Sequence, residues 1–221
     1  MTEIVHTCEE LMSLIEEVGF LPLLSSAVPG YSAEEIVDED CRYSTDPEDG
    51  FYWPLWQWKG TIVNELPCVY GKFFDKKAGF VSMAWWPDFM NYRRSRVPQP
   101  EDASIERTIL STLQLGGSQL TCDLRAACGF SGQGMRGKFD AYVTRLEMGT
   151  YIVTEDFIYA RDKHNREYGW GRSLLTTPEA LYGHELCRCS RTPEESLERI
   201  MAHMRKVLPD ATDKQLRKLI G

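Results

Sequence analysis

Apolar positions between residues 104 and 177 follow helical spacing in three short segments and strand spacing in the ribbon after them. The predicted helices cover residues 104–113, residues 121–128 and a third segment that starts at residue 135. In the ribbon, the first strand includes residues 151–153 and 157–160, and the second returns over residues 168–177. Each helix places apolar side chains three or four residues apart, so that they share one face. Three helices followed by a two-stranded ribbon is the local order of a winged helix-turn-helix.

The ends of these helices carry their own signals. Ser104 and Thr121 are the predicted N-caps of the first two helices, because a hydroxyl oxygen there accepts from backbone N–H groups. Gly134 and Gly137 lie at the start of the third helix, where glycine costs about 1 kcal/mol relative to alanine. Two explanations remain open for them, a close approach of the backbone to another surface or a frayed first turn.

Cationic side chains lie on the third helix and at the tip of the ribbon, the two elements with which a winged helix contacts a DNA groove and its backbone. Lys138 and Arg145 are seven residues apart and therefore nearly aligned on the helix. The predicted DNA-binding residues in this segment are Arg136, Lys138, Arg145, Arg161, Lys163 and Arg166. The segment holds nine Lys or Arg against eight acids, so placement and not charge balance favours DNA. The alternative is a protein-interaction module, since winged helices also act as scaffolds for other functions.

The N-terminal half is predicted to combine helices with a hairpin. Amphipathic spacing indicates helices over residues 7–19, 54–65 and 83–96, and strand-like runs at 68–74 and 79–82 would pair as the hairpin. Five of the six tryptophans fall between residues 51 and 96, and we interpret them as core. The alternative is a concave patch that stacks a nucleotide strand, formed by Trp58, Lys59, Tyr70, Lys72 and the cations after residue 92. Arg93 and Arg94 are therefore added to the predicted DNA-binding residues.

Residues 97–102, rich in proline and polar side chains, form the best linker in the chain. Beyond residue 183, helices are predicted over 192–208 and 212–220. The predicted fold is α+β and mainly helical, with a winged helix domain packed on an aromatic-rich N-terminal region. Its divisions are an N-terminal region over residues 1–98, the winged helix over residues 104–182 and a C-terminal helical extension over residues 183–221.

Charge and cysteine content narrow the class of protein. The formal net charge is −8, which argues against a nonspecific DNA coat unless the charges are segregated. Residues 1–50 hold thirteen acids and one base, and we expect an acidic loop over residues 38–50. The remainder therefore has 24 basic and 20 acidic residues, a balance of +4. Seven irregularly spaced cysteines, no membrane-length apolar run and an acidic N-terminus predict free thiols and a cytoplasmic protein.

Motifs for bound cofactors are missing from the sequence. His184, Cys187 and Cys189 are close in sequence, but a structural zinc site needs four ligands and no second Cys or His pair with suitable spacing follows. No glycine-rich phosphate loop, nucleophile elbow or metalloprotease helix is present. We therefore expect neither a metal nor another cofactor.

Three stretches of the chain resemble the AlkZ-like (YcaQ-like) winged-helix family, whose characterised members are DNA glycosylases for alkylated or crosslinked bases. Residues 11–31 look like the family's first helix and its Pro-Gly-Tyr turn, here at residues 29–31 after Val18 and Gly19. Residues 73–94 look like its aromatic segment and Trp-Pro-x-Phe helix, here at residues 86–89. The third stretch, residues 104–177, looks like the family's later winged helix.

The resemblance implies DNA binding and a place in DNA repair, but its active-site motif is altered. The family carries Gln-x-Gln or Gln-x-Asp just after a Leu-Gly pair, and here those positions are Pro22 and Leu24. Neither side chain can hold a water or accept a proton. The expected function is therefore that of a divergent AlkZ-related DNA-binding protein without the family's glycosylase chemistry. An active glycosylase that uses other carboxylates is the alternative from the enzyme class.

Overall fold

A computed structural model of the chain describes residues 4–42, 44–46, 50–165 and 167–221, and within them the strands form a six-stranded antiparallel sheet and a two-stranded one. The helices are α1 (Cys8–Val18), α2 (Ala33–Ile36), α3 (Glu39–Arg42), α4 (Pro54–Glu65), α5 (Trp86–Arg96), α6 (Ile105–Gly116), α7 (Thr121–Ala127), α8 (Met135–Met148), α9 (Pro178–Leu186), α10 (Pro193–Val207) and α11 (Asp213–Ile220). The strands are β1 (Phe20–Pro22), β2 (Ser44–Asp46), β3 (Gly50–Tyr52), β4 (Cys68–Phe74), β5 (Lys77–Ser82), β6 (Gln119–Leu120), β7 (Val153–Arg161) and β8 (Glu167–Thr176). The predicted α+β class is confirmed.

The larger sheet joins the two halves of the chain. Its strand order is β1-β5-β4-β7-β8-β6, so the hairpin of β4 and β5 lies beside the later ribbon of β7 and β8. The junction is the antiparallel pairing of Tyr70 on β4 with Thr154 on β7. The short β6 pairs with β8 on the far edge. The ribbon is thus a continuation of the N-terminal sheet.

Local sequence signals explain where several helices begin. Thr7 caps α1, and Glu10 returns a carboxylate to the backbone of the cap, which completes a capping box. Thr192 with Glu195 starts α10 in the same way, and Thr212 with Gln215 starts α11. The predicted helix over residues 54–65 has the bounds of α4.

Two local predictions were wrong, and one helix was not predicted. Thr121 does not cap α7, because its hydroxyl donates to the Ser173 carbonyl of β8 and the N-cap position is Leu120. The expected loop over residues 38–50 contains α3, β2 and the first residue of β3, with residues 43 and 47–49 outside the described part. Helix α9 was not predicted, since Gly183 interrupts it with a φ of 80° and its apolar residues form no continuous face.

Two hydrophobic clusters form the interior. The first joins the N-terminal elements to Val153 and Phe157 of β7 and to buried residues of α10 and α11, such as Ile200 and Leu219. The second lies under α6, α7 and α8 and includes Phe139 and Leu175. The C-terminal helices therefore pack on the N-terminal region. The division of the chain into three parts stays a prediction.

The aromatic segment is largely core, as predicted. Trp86, Phe73 and Phe89 are buried in the first cluster and contact one another at ring distances of 5.5 to 6.1 Å. The alternative of a concave nucleotide-stacking patch is wrong for Lys59 and Tyr70, because both side chains are buried.

In the described part of the chain, no helix combines the length and the apolar character that crossing a membrane requires.

Candidate nucleic-acid interface

Helix α8 is held from two sides. Phe139, Val143 and Leu146 pack into the second hydrophobic cluster, as the sequence predicts. On the other side, the buried carboxylate of Glu147 accepts from the Lys72 backbone N–H at 3.3 Å and lies 3.3 Å from the Lys72 ammonium. Burial raises the pKa of the Glu147 carboxyl, and the nearby Lys72 opposes that shift. These contacts fix which face of α8 remains outside.

The outer face of α8 presents the predicted cations. The Lys138 side chain is exposed and makes no ion pair or hydrogen bond with any described residue. Arg145 pairs with Glu106 of α6, yet 65% of its side chain remains exposed. The Arg136 side chain is 81% exposed, with its Nε 3.7 Å from Asp140 one turn away. An exposed pair such as Arg136–Asp140 contributes at most about 1 kcal/mol, so Arg136 is available to another anion. The Glu106 side chain is 12% exposed, so Arg145 combines an exposed guanidinium with a largely buried partner.

Small residues lie before and between these cations on α8. Gly134 precedes the first helical residue with a left-handed φ of 74°, which explains glycine there. Gly137 has an ordinary helical backbone, and a Cβ added to it would meet no heavy atom within 4 Å. Ala141, four residues later, is also exposed. No internal contact therefore requires a glycine at position 137, and a flat strip of backbone faces outward.

The tip of the ribbon carries further cations. Arg161 and Lys163 are exposed, and the Arg161 guanidinium donates to the Asn165 side chain at 3.2 Å. The third predicted residue of the tip, Arg166, lies outside the described residues. The tip thus has exposed cations on a hairpin whose base is anchored in the sheet.

Arg93 and Arg94, also predicted to contact DNA, have different environments. Arg93 is 2% exposed and donates to the carbonyl groups of Phe73, Met148 and Ile220. Burial lowers the pKa of this guanidinium to about 10. Arg93 therefore ties the two halves of the chain together from inside.

Arg94 lies at the wall of a cavity of about 570 Å³ between the end of α5, α6 and α9. Its guanidinium donates to the Glu179 carboxylate at 2.6 Å and to the Thr150 carbonyl at 3.0 Å. The cavity also exposes Gln99, Gln114 and His184. Nothing in the sequence indicates this group, because its members are spread over 91 positions from Arg94 to His184 and no spacing signal connects them.

The positions of the altered motif lie in and just after β1. Pro22 is buried and pairs with Gly79 of β5, and Leu24 follows at a partly buried position. Residues 20–24 contain no titratable side chain. The motif positions themselves therefore carry no side chain that could act as a general base.

Another buried carboxylate, Asp88, is fully engaged. It is 1% exposed and accepts from Ser196 at 3.0 Å and from the guanidinium groups of Arg191 and Arg199. Cys189 adds a thiol contact to it at 3.4 Å. This network joins α5 to α10, and it gives Asp88 a structural role.

Comparison with known proteins gives one match. A family model described as AlkZ related matches residues 5–221, which is nearly the whole chain. No curated protein matches the sequence. No solved structure matches it either.

Proposed function

This chain belongs to the AlkZ-related family, and we propose that it binds DNA through the outer face of α8 and the tip of the β7–β8 ribbon. The family resemblance indicates that the ligand is nucleic acid, and the two surfaces provide the cationic side chains that would contact it. DNA repair is the context that the resemblance implies.

The proposed binding unit is a winged helix. In chain order it consists of α6, β6, α7, α8, β7 and β8, and β6 pairs with β8 so that a third strand closes the base of the ribbon. A winged helix places its third helix in the major groove and its hairpin along the backbone. Here α8 would enter the groove, and the tip with Arg161 and Lys163 would contact phosphates.

The observation that carries the proposal is the state of the α8 cations. Lys138 is uncommitted among the described residues, Arg136 makes an exposed pair, and 65% of the Arg145 side chain is exposed beside the largely buried Glu106. A buried ion pair would be costly to break, whereas an exposed one can be exchanged for a phosphate contact. The strip at Gly137 and Ala141 lets the backbone of α8 come near a groove. Because Arg93 is enclosed, we leave it out of the proposed DNA contacts, and we assign Arg94 to the cavity.

We propose further that the chain lacks the glycosylase chemistry of the family it resembles. Pro22 and Leu24 provide no group to orient a water or accept its proton. Asp88 and Glu147 are buried carboxylates that hold other elements of the fold in place. DNA binding without base release is the function that these environments support best.

The test is a fluorescence-anisotropy titration of duplex DNA over a range of salt concentrations. Each lost phosphate contact should reduce the slope of log affinity against log salt by about 1. Lys138→Ala combined with Arg145→Ala should therefore reduce the slope by about 2 and weaken binding. The matched control is Lys214→Ala combined with Arg217→Ala, which removes two exposed cations from α11. A DNA affinity that changes neither with salt concentration nor with the α8 substitutions would refute the proposal and favour a protein-interaction module.

Gly137→Ala tests the close approach separately. The substitution should raise the free energy of unfolding by up to about 1 kcal/mol, because alanine favours helix, and it should weaken DNA binding about tenfold through a methyl group at the contact. Gly60→Ala in α4 is the control, since the added methyl also meets no heavy atom within 4 Å. Equal DNA affinity for both variants would point to a frayed first turn instead.

Catalysis is tested with alkylated duplex DNA. The proposed function predicts no abasic sites above the protein-free background after long incubation. Release that is abolished by replacing one carboxylate would establish the alternative, an active glycosylase with a different acid.

A further inference from the structure

The cavity beside Arg94 lies where the two hydrophobic clusters meet. Helix α5 contributes Trp86, Phe89 and Met90 to the first cluster and α6 belongs to the second, while α9 follows the ribbon and closes one side. Its volume of about 570 Å³ falls in the range of small-molecule sites, which often form at such junctions. Leu110 of α6 and Ala180 of α9 give it an apolar part.

Its wall is fixed and electrically balanced. Arg94 is held by Glu179 at 2.6 Å and by the Thr150 carbonyl, and its guanidinium lies 4.8 Å from the centre of the Tyr151 ring. The Tyr151 hydroxyl in turn donates to the Val97 carbonyl at 2.9 Å. One cation and one anion thus neutralise each other, which leaves the wall without a spare charge for a phosphate.

The rim carries the hydrogen-bonding groups that remain open. The side chains of Gln99, Gln114 and His184 are exposed, and none of them makes a hydrogen bond within the described residues. Each amide offers two donors and one acceptor with two lone pairs, and the imidazole offers a donor or an acceptor according to its tautomer. Gln99 comes from the linker and Gln114 from α6, so the amides approach from different elements.

We propose that this cavity binds an uncharged nucleobase. A planar heterocycle with donors and acceptors on its edge matches the amides, since a glutamine side chain can form two hydrogen bonds with one base edge. The balanced Arg94–Glu179 pair disfavours a charged ligand. The base is either free or extruded from DNA, and in the second case the inference rests on the proposed function.

Free bases are tested first, by saturation-transfer NMR titration of the full chain with adenine and with cytosine. We expect saturable binding that Gln99→Ala combined with Gln114→Ala weakens about tenfold or more. Gln57→Ala, at an exposed position of α4, is the matched control and should leave binding unchanged. Both rim glutamines are exposed, so their replacement should not prevent folding. Adenosine monophosphate should bind no more tightly than adenine.

The DNA source is tested with a duplex that contains 2-aminopurine opposite cytosine. Extrusion of that base raises its fluorescence, because it leaves the stack. The base is assigned to DNA if the wild-type chain raises the fluorescence and the two glutamine substitutions reduce this increase. The DNA affinity measured by anisotropy should be unchanged by the substitutions. Binding of free bases without this increase assigns the cavity to a free base.

Three outcomes would overturn the inference. In the first, neither free base binds and the fluorescence of the duplex does not increase. In the second, a base binds but the two glutamine substitutions do not change its affinity. In the third, adenosine monophosphate binds much more tightly than adenine. In the first case, intact salt-dependent DNA affinity would leave the proposed function standing. Loss of all DNA affinity would instead refute the proposed function, while the free-base titration would still decide the ligand of the cavity.

Discussion

Lys59 provides the sharpest test of the packing described above. Its side chain is 1% exposed, and its ammonium lies 4.1 Å from the centre of the Trp56 ring and 3.9 Å from that of Phe157. Its hydrogen bond goes to the Trp56 carbonyl at 3.1 Å. Burial lowers the pKa of this amine from 10.5 to about 7. We expect Lys59→Met, which keeps the length of the side chain and removes the amine, to change how stability depends on pH.

The sign and size follow from proton linkage. Between pH 7 and 10.5 the unfolded chain holds a proton that the folded chain has released, so stability rises with pH by about 1.4 kcal/mol per unit. From about pH 7.5 to about pH 9.5, wild type should therefore gain roughly 2.5 kcal/mol relative to Lys59→Met. The contribution is lost as pH falls through this window. The two rings act in the opposite direction, since each favours the charged amine by up to about 2 kcal/mol and thereby reduces the expected gain.

The assay is urea unfolding followed by tryptophan fluorescence, in reducing buffer, at several pH values across this window. Lys214→Met, at an exposed position of α11, controls for the loss of one positive charge. A constant difference between wild type and Lys59→Met would mean that the rings hold the amine charged in the folded state. That result, or a wild type that loses stability relative to Lys59→Met as pH rises, would refute the reasoning.

Two further predictions concern the contacts between the halves of the chain. Arg93→Met should lower the free energy of unfolding by about 3 kcal/mol or more, because three carbonyls lose their donor. Denaturant titration measures this loss, with Arg96→Met, at an exposed position of the same helix, as the control. Equal stability of the two variants would contradict the prediction. Glu147→Gln should raise the free energy of unfolding at pH 8, because the raised pKa of the Glu147 carboxyl makes the folded state lose stability as pH rises through it. That gain should shrink towards pH 5, and denaturant titrations at pH 8 and pH 5 would measure it. An equal gain at both pH values would contradict the prediction.

Local sequence signals predicted the helices that have clear caps and a continuous apolar face. Thr7, Thr192 and Thr212 each have a glutamate or glutamine three residues later, and all three start helices with reciprocal capping bonds. Thr121 shows the limit of such signals. Its hydroxyl goes to Ser173, 52 residues away, and only the fold brings that carbonyl within reach.

Non-local contacts decide most of the candidate site. Arg93 and Arg94 are adjacent in a cationic run that is typical of a surface, yet the first is enclosed by carbonyls from distant elements and the second is paired with Glu179. Lys59 and Tyr70 lie in aromatic sequence that fits a binding patch as well as a core. Burial separates those cases, and it depends on elements far away in the sequence.

The pairing of Tyr70 with Thr154 has a consequence for experiments on separate pieces of the chain. An excised fragment over residues 104–182 would leave the outer edge of β7 without its neighbour, with Val153 and Phe157 uncovered beside unsatisfied backbone groups. Such an edge invites strand addition from another copy. A soluble, monomeric fragment would need that side redesigned, so DNA affinity is best measured on the intact chain.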